Sequence, residues 1–165
     1  MKQSEGPKPI GEHLSEIPTN LEASNPSSTP ESDSVKSSEL IEWELKRPFP
    51  VNQVKGRQGP GGMTLHYIDA RQLAARLDQV VGPDGWQTHY KEVCGQTCCE
   101  LSINYAGNWI TKSDGAGETN VEGEKGQFSD AFKRAGVQHG VARYLYRDGP
   151  PISPEQFDKI MERPE

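Results

Sequence analysis

The stretch Trp86-Gln87-Thr88-His89-Tyr90-Lys91-Glu92-Val93, then Gly95-Gln96-Thr97, Cys98 to Asn104, Ala106-Gly107-Asn108 and Trp109-Ile110-Thr111-Lys112, decides the fold. Three strand-like segments are separated by two glycine-bearing turns. That is the pattern of an antiparallel meander running to Ser113. Upstream, Asp69 to Val81 reads as a helix. Asp69 caps it and Gln72 stands three residues on, in capping-box spacing. Ala70, Leu73, Ala74, Leu77, Val80 and Val81 line one face, and Gly82-Pro83 stops the helix. Downstream, Phe128 to Tyr146 reads as a second, longer helix. Phe128, Ala131, Phe132, Ala135, Ala142 and Leu145 share a face, and His139 falls on the surface. Gly136 and Gly140 weaken this helix by about 1 kcal/mol each relative to Ala. Standing four apart, they would also let another backbone pack close.

Shorter elements flank this core. Ser38 to Leu45 reads as a Ser-capped helix ended by Pro48 and Pro50. Residues 51–63 read as a glycine-rich cationic loop, and Thr64 to Tyr67 as a short extended entry. Residues 114–127 read as a mobile polar loop in which Asp114, Glu118, Glu122 and Glu124 are solvated acids. Ser153-Pro154-Glu155-Gln156 opens a final helix ending near Met161. Between Ala23 and Ser34 one alanine is the largest apolar group, so burial cannot offset the entropy of ordering. The expected architecture is α+β: a three-stranded antiparallel meander followed by a long helix, with flanking short helices and a disordered N-terminal arm. Residues 1–38 form the acidic Ser/Pro-rich arm, 39–150 the folded domain and 151–165 a short C-terminal helix and tail.

Composition agrees with a partly unfolded chain. Of 165 residues only 32% are hydrophobic, with Gly 17 and Pro 13, and the mean hydropathy is -0.80. Ordinary domains carry roughly 45% apolar residues counted with Gly. No run of 18 apolar residues offers a transmembrane helix, and no apolar stretch behind Met1 offers a secretory signal. Three cysteines make an odd count that excludes a disulfide framework, which fits a reducing, cytoplasmic compartment. The net charge of -6 is uneven. Residues 1–39 carry net -4, residues 148–165 net -3, and residues 40–147 net +1. The acidity sits in the tails, so the global charge does not exclude an anionic ligand for the middle.

The motifs narrow the chemistry. Gly56-Arg57-Gln58-Gly59-Pro60-Gly61 has the Gly-x4-Gly spacing of a phosphate loop, but Gly62-Met63 follows where lysine and a hydroxyl are needed. It is therefore either a solvated loop or one that holds Arg57 and Lys55 against a phosphate backbone. His89, Cys94, Cys98 and Cys99 are the one metal-like group. Cys98 and Cys99 point to opposite faces of a strand, so at most one can join Cys94, and no metal site is expected. No lysine after Pro83-Asp84 has an acid two residues before it, so the Asp/Glu-x-Lys half of a metal-dependent nuclease is missing. Local spacing suggests no nucleophilic triad, and no enzyme activity is expected. On a continuous second helix, Arg143 and Arg147 share a face and Lys133 falls near the same stripe. That stripe is either a solvated cationic edge or a phosphate contact. Tyr144, Tyr146 and Trp109 could stack on bases or serve as core.

Four blocks then occur in order: Leu65-His66-Tyr67-Ile68-Asp69-Ala70-Arg71, Val81-Gly82-Pro83-Asp84-Gly85-Trp86, Phe128-Ser129-Asp130-Ala131-Phe132-Lys133-Arg134-Ala135, and Arg143-Tyr144-Leu145-Tyr146. The pattern resembles the Rad-fifty-two superfamily of single-strand-annealing proteins, most nearly its bacterial DNA damage response protein A branch, over about residues 40–147. The resemblance implies a ring-forming protein of DNA repair and recombination. Such a protein holds single-stranded DNA in a groove and promotes annealing, or protects ends, without nucleotide hydrolysis or cofactor. It implies DNA contacts at Arg57, at the Lys133-Arg134 pair and at Tyr67, with Lys55 beside them. A further basic position of the family falls on Val137 here, which leaves the groove either less basic or compensated by Arg143. Lys112 and Lys125 are candidates for a second, outer site. Expected partners are single-stranded DNA, further copies of the chain, and a recombinase or replication protein, with no membrane. The rivals are an interaction module of the same fold that lacks DNA binding, and a metal-dependent nuclease.

Overall fold

The computed structural model describes residues 36–116, 124–147 and 149–165. The expected N-terminal arm lies almost wholly outside them, as do Glu118 and Glu122 of the expected acidic loop. The meander is present. Strands β3 (Trp86–Val93), β4 (Gln96–Tyr105) and β5 (Asn108–Gly115) form one antiparallel sheet with β4 central. Trp86 faces Ile103, Tyr90 faces Cys99, and Lys112 faces Leu101 across the ladders. Both connections are two-residue turns with positive φ at each centre, at Cys94-Gly95 (52° and 76°) and Ala106-Gly107 (53° and 95°). This is the hairpin turn whose twist matches that of the strands.

Alternation along β4 builds the core. Cys99, Leu101, Ile103 and Tyr105 are buried on one face, while Glu100, Ser102 and Asn104 sit on the other. Helix α3 (Glu124–Gln138) lies across the buried face, over β4 and β5. It contributes Ala131, Phe132 and Ala135, and Phe132 stacks on Trp86 at 5.7 Å. Each fully buried Leu or Ile here is worth about 1.5–3 kcal/mol over exposure. Helix α2 (Ala70–Val81) has the expected capping box, with the Asp69 carboxylate accepting from the Gln72 N–H. It packs against α1 (Ser38–Lys46) and α3. Ser37 caps α1. The final helix α4 (Pro154–Ile160) opens at Ser153 with its own capping box and rests on α1, Phe157 against Trp43.

Four sequence expectations are corrected. Residues 51–63 are not simply a loop: β1 (Lys55–Gln58) pairs with β2 (Thr64–Tyr67) as an antiparallel hairpin. Its strands are four residues each and both largely exposed, so neither shows the apolar alternation by which strands are read. The second helix does not run to Tyr146. It ends at Gln138, Gly140 (φ 99°) and Ala142 (φ 56°) turn the chain, and a short 3₁₀ turn, Arg143–Tyr146, follows. The spacing that placed Lys133, Arg143 and Arg147 on one stripe therefore does not apply. His139 is not on a surface but 3% exposed. Asp114 is not in a solvated loop but on β5.

The two glycines act differently from the backbone-packing expectation. A Cβ on Gly136 would lie 2.7 Å from Leu73 Cδ2, so what approaches is a side chain of α2. Gly140 supplies the left-handed backbone that ends α3.

Candidate nucleic-acid interface

Register places the hairpin side chains. Lys55 faces Tyr67 and Arg57 faces Leu65 across β1 and β2. Directly opposed residues share a face, as do alternate residues along a strand. Lys55, Arg57, Leu65 and Tyr67 therefore form one side of the hairpin. Helix α3 meets that side: Lys133 Nζ lies 5.9 Å from the centre of the Tyr67 ring, within cation–π range. The 3₁₀ turn also packs against β2. Tertiary structure thus brings Arg57, Lys55, Tyr67 and Lys133 together from three segments.

The cations are not equally free. Arg57 is exposed and has no hydrogen-bond or ion-pair partner among the described residues. Lys55 Nζ donates to Asp69 Oδ2 at 2.9 Å. The Lys55 hydrogen bond, with that of the Gln72 N–H, holds the Asp69 carboxyl below its ordinary range. Lys133 stands 3.8 Å from Asp130 Oδ1. Arg134 points the other way along α3. Its Nε and Nη2 donate to Asp114 Oδ1 at 3.2 and 3.1 Å. Burial works to raise the Asp114 pKa, but the Gln138 hydrogen bond at 2.9 Å and the Arg134 charge outweigh it and hold it low. The Lys133-Arg134 pair is therefore divided between the hairpin side and the β5 side.

Lys112 and Arg143 meet at the C-terminal end of α3. Lys112 Nζ donates to the Gln138 carbonyl at 2.9 Å, and Arg143 Nη2 donates to the same oxygen at 2.7 Å. Arg143 Nε donates to the Val137 carbonyl at 3.0 Å. Cations here satisfy orphan carbonyls and complement the helix dipole. Both charges remain at the surface beside the Arg134–Asp114 pair. The Lys125 side chain is outside the described set.

Beneath this end lies a polar contact that the spacing of His139 did not disclose. Its Nε2 bonds the Leu101 carbonyl at 2.9 Å, and its Nδ1 bonds the Tyr105 hydroxyl at 3.0 Å. A carbonyl only accepts, so Nε2 carries the proton and Nδ1 accepts from Tyr105. Burial lowers the His139 pKa, with the charges of Lys112 and Arg143 acting in the same direction. The aromatic candidates separate. Tyr146 is 68% exposed and Trp109 49%, whereas Tyr144 is half-buried and its hydroxyl accepts from the Phe49 N–H at 3.0 Å. Among the described residues no three His, Cys, Asp or Glu side chains gather as a metal site.

A hairpin and a helix thus present cations and an aromatic ring on one side of an α+β frame. Residues 37–106, from the cap of α1 through β4, match the Rad52/22 family of double-strand break repair proteins. The chain is 31% identical over 114 residues to the single-stranded DNA-binding protein DdrA of Deinococcus radiodurans, covering 64% of this chain and 54% of that protein. It is 32% identical over 114 residues to DdrA of Deinococcus deserti, covering 64% of this chain and 56% of that one. The chain spans about half the length of these relatives. The similarity thus runs to the Rad52/22 family and, over a longer stretch, to the DdrA proteins. Arg57, Lys55 and Tyr67 lie inside the matched region, and Lys133 and Arg134 lie outside it.

Proposed function

We propose that this chain binds single-stranded DNA in repair and recombination. The observation that carries this reading is the convergence of Arg57, Lys55 and Tyr67 on one hairpin side with Lys133 5.9 Å from the Tyr67 ring. Phosphates would meet the cations, and a base could stack on Tyr67. Annealing suits such a surface, because backbone neutralisation leaves the pairing edges of the bases open. The names of the two relatives support single-stranded DNA as the ligand.

The finer reading is an oligomeric ring that anneals strands, or protects ends, without nucleotide hydrolysis. Each protomer adds only a few cations, and a ring would repeat them along a continuous path. Edge strands β3 and β5 are unpaired on their outer sides among the described residues, which suits lateral association of copies. In this reading the protein works at the nucleoid or in a phage-infected bacterial cytoplasm, with a recombinase or replication protein as partner.

The test is annealing of two complementary labelled oligonucleotides at low salt, by the wild type and by Lys133→Ala/Arg134→Ala. Acceleration by the wild type that is lost in a folded double variant is expected. Neither acceleration nor binding by the wild type would leave an interaction module as the better account. The internal bonds of Lys112, Arg134 and Arg143 favour that alternative. Degradation of the strands with a divalent metal would instead point to the nuclease.

A further inference from the structure

A second cationic site lies elsewhere in the molecule. A cavity of about 520 Å³ opens between α1, α2 and the C-terminal segment, with Lys36, Glu44, Arg47, Arg76, Asp158 and Arg163 as its charged lining. It shares no residue with the hairpin–α3 surface. Its volume suits a small ligand.

The charges in this cavity do not cancel. Four lining residues are cationic and two are carboxylates. Lys36 Nζ is 2.6 Å from Glu44 Oε2. Arg47 grips Asp158 with two hydrogen bonds, of 3.0 and 2.6 Å. Each carboxylate thus has its own cation, and the positive charges of Arg76 and Arg163 are in excess. Arg163 reaches Glu44 only loosely, at 3.7 Å.

Arg76 is the more informative. Its Nη1 donates to the Glu44 and Arg47 carbonyls at 3.0 and 2.6 Å, closing the end of α1. Its guanidinium lies 4.2 Å from the centre of the Phe49 ring. Nε and Nη2 have no hydrogen-bond partner among the described residues, and no carboxylate forms an ion pair with this half-buried group. The Glu44 charge acts on Arg76 but is shared with Lys36 and Arg163, so this partly desolvated guanidinium is only partly compensated, which is costly. Its remaining donors can meet two oxygens of one anion. Trp43 lines the same space between Arg47 and Arg163, at 5.8 and 5.9 Å, and offers an aromatic wall.

We propose that this cavity is a phosphate-monoester site, held by Arg76 and Arg163, for the phosphate of a nucleotide. A monoester carries about -1.5 to -2 charges at neutral pH, which balances the two excess cations. A free nucleotide and the phosphorylated terminus of a strand present the same group. The site does not depend on the proposed DNA groove.

The experiment is an NMR titration of the full chain, following the Trp43 indole N–H and the Arg76 side-chain N–H. The probes are deoxyadenosine monophosphate, deoxyadenosine, and one oligonucleotide with and without a 5′-phosphate. Saturable shifts are expected from the phosphorylated probes and none from deoxyadenosine. Arg163→Glu reverses one exposed charge and leaves the cap of α1 intact. It should weaken binding about 30- to 100-fold, the effect of two charge units changed about 6 Å from a ligand of about -1.5 to -2 charges at the dielectric of water. Tighter binding of the phosphorylated oligonucleotide than of the mononucleotide would identify a strand terminus as the source, and the reverse order a free nucleotide. Lys133→Ala/Arg134→Ala should leave mononucleotide binding unchanged, so failure of the groove and failure of this cavity read differently. No shift with any phosphorylated probe, an equal shift with deoxyadenosine, or unchanged binding in Arg163→Glu would overturn the proposal.

Discussion

Replacing Asp114 by Asn should strengthen single-stranded DNA binding, although the change touches no residue of the hairpin. Arg134 now spends Nε and Nη2 on Asp114 Oδ1, at 3.2 and 3.1 Å. A phosphate must compete with that carboxylate. Both side chains are partly exposed, 42% for Arg134 and 21% for Asp114, so the pair belongs with solvent-screened bridges worth about 0.2–1 kcal/mol. Removing the charge while Oδ1 stays as a neutral acceptor loosens the hold on Arg134 and should tighten binding by about 1.5- to 5-fold at low salt. Losing a carboxylate that repels phosphates acts in the same direction. Asparagine keeps an oxygen for the Gly115 N–H, so the local turn should survive. The assay is fluorescence anisotropy of a labelled oligothymidylate across a salt series. One added phosphate contact should steepen the plot of log affinity against log salt by about 0.7 for a single strand. Adding Arg134→Ala to the same chain should erase the gain, which makes the pair a double-mutant cycle. Unchanged affinity and slope in a variant with wild-type circular dichroism would refute the idea that Asp114 restrains Arg134.

Three further outcomes concern stability. Gly136→Ala should lower the melting temperature. The helix propensity gain of about 1 kcal/mol meets a Cβ contact of 2.7 Å with buried Leu73, and overpacking costs about 1–3 kcal/mol; a rise in melting temperature would show that Leu73 yields freely. His139 is neutral in the fold because burial lowers its pKa. Below about pH 6.5 the unfolded chain takes up a proton that the folded chain does not, so stability should fall as pH drops through that value, by at most about 1.4 kcal/mol per pH unit. Urea midpoints between pH 7 and lower pH, compared with those of His139→Gln, isolate this contribution, and parallel curves would deny it. Ala106→Asn should stabilise the β4–β5 hairpin, because Asn tolerates the positive φ of 53° better than Ala; thermal melts should show a gain of less than about 1 kcal/mol, and a loss would mean that the turn is not under strain.

Much of this molecule was legible in local chemistry. The meander follows from β-prone segments broken by Gly95 and Gly107, although the first turn falls at Cys94-Gly95 and residues Gln96 and Thr97, read as turn, open β4. Helices α2 and α4 follow from Asp69 with Gln72 and from Ser153 with Gln156, because a capping box is a contact between residues three apart. The four motif blocks pointed to the family that residues 37–106 match, and the resemblance nominated Arg57, Tyr67 and the Lys133-Arg134 pair as DNA contacts. What escaped depends on contacts between distant residues. The β1–β2 hairpin is short and exposed, so no apolar alternation marks it. The end of α3 at Gln138 turns on Gly140 and on the left-handed Ala142, against an apolar spacing that continues to Leu145. His139 is polar by type, and only its fit between Tyr105 and Leu101 makes it a core residue. Local chemistry along the chain accounts for the helix caps and for the three strands of the meander, because these rest on neighbours along the chain. Long-range packing is what turns Lys133 to Tyr67 and Arg134 to Asp114, and what sets Arg76 in a cavity where cations outnumber carboxylates. Those outcomes are set by which long-range partners share a low-dielectric space, and spacing along one chain does not encode that.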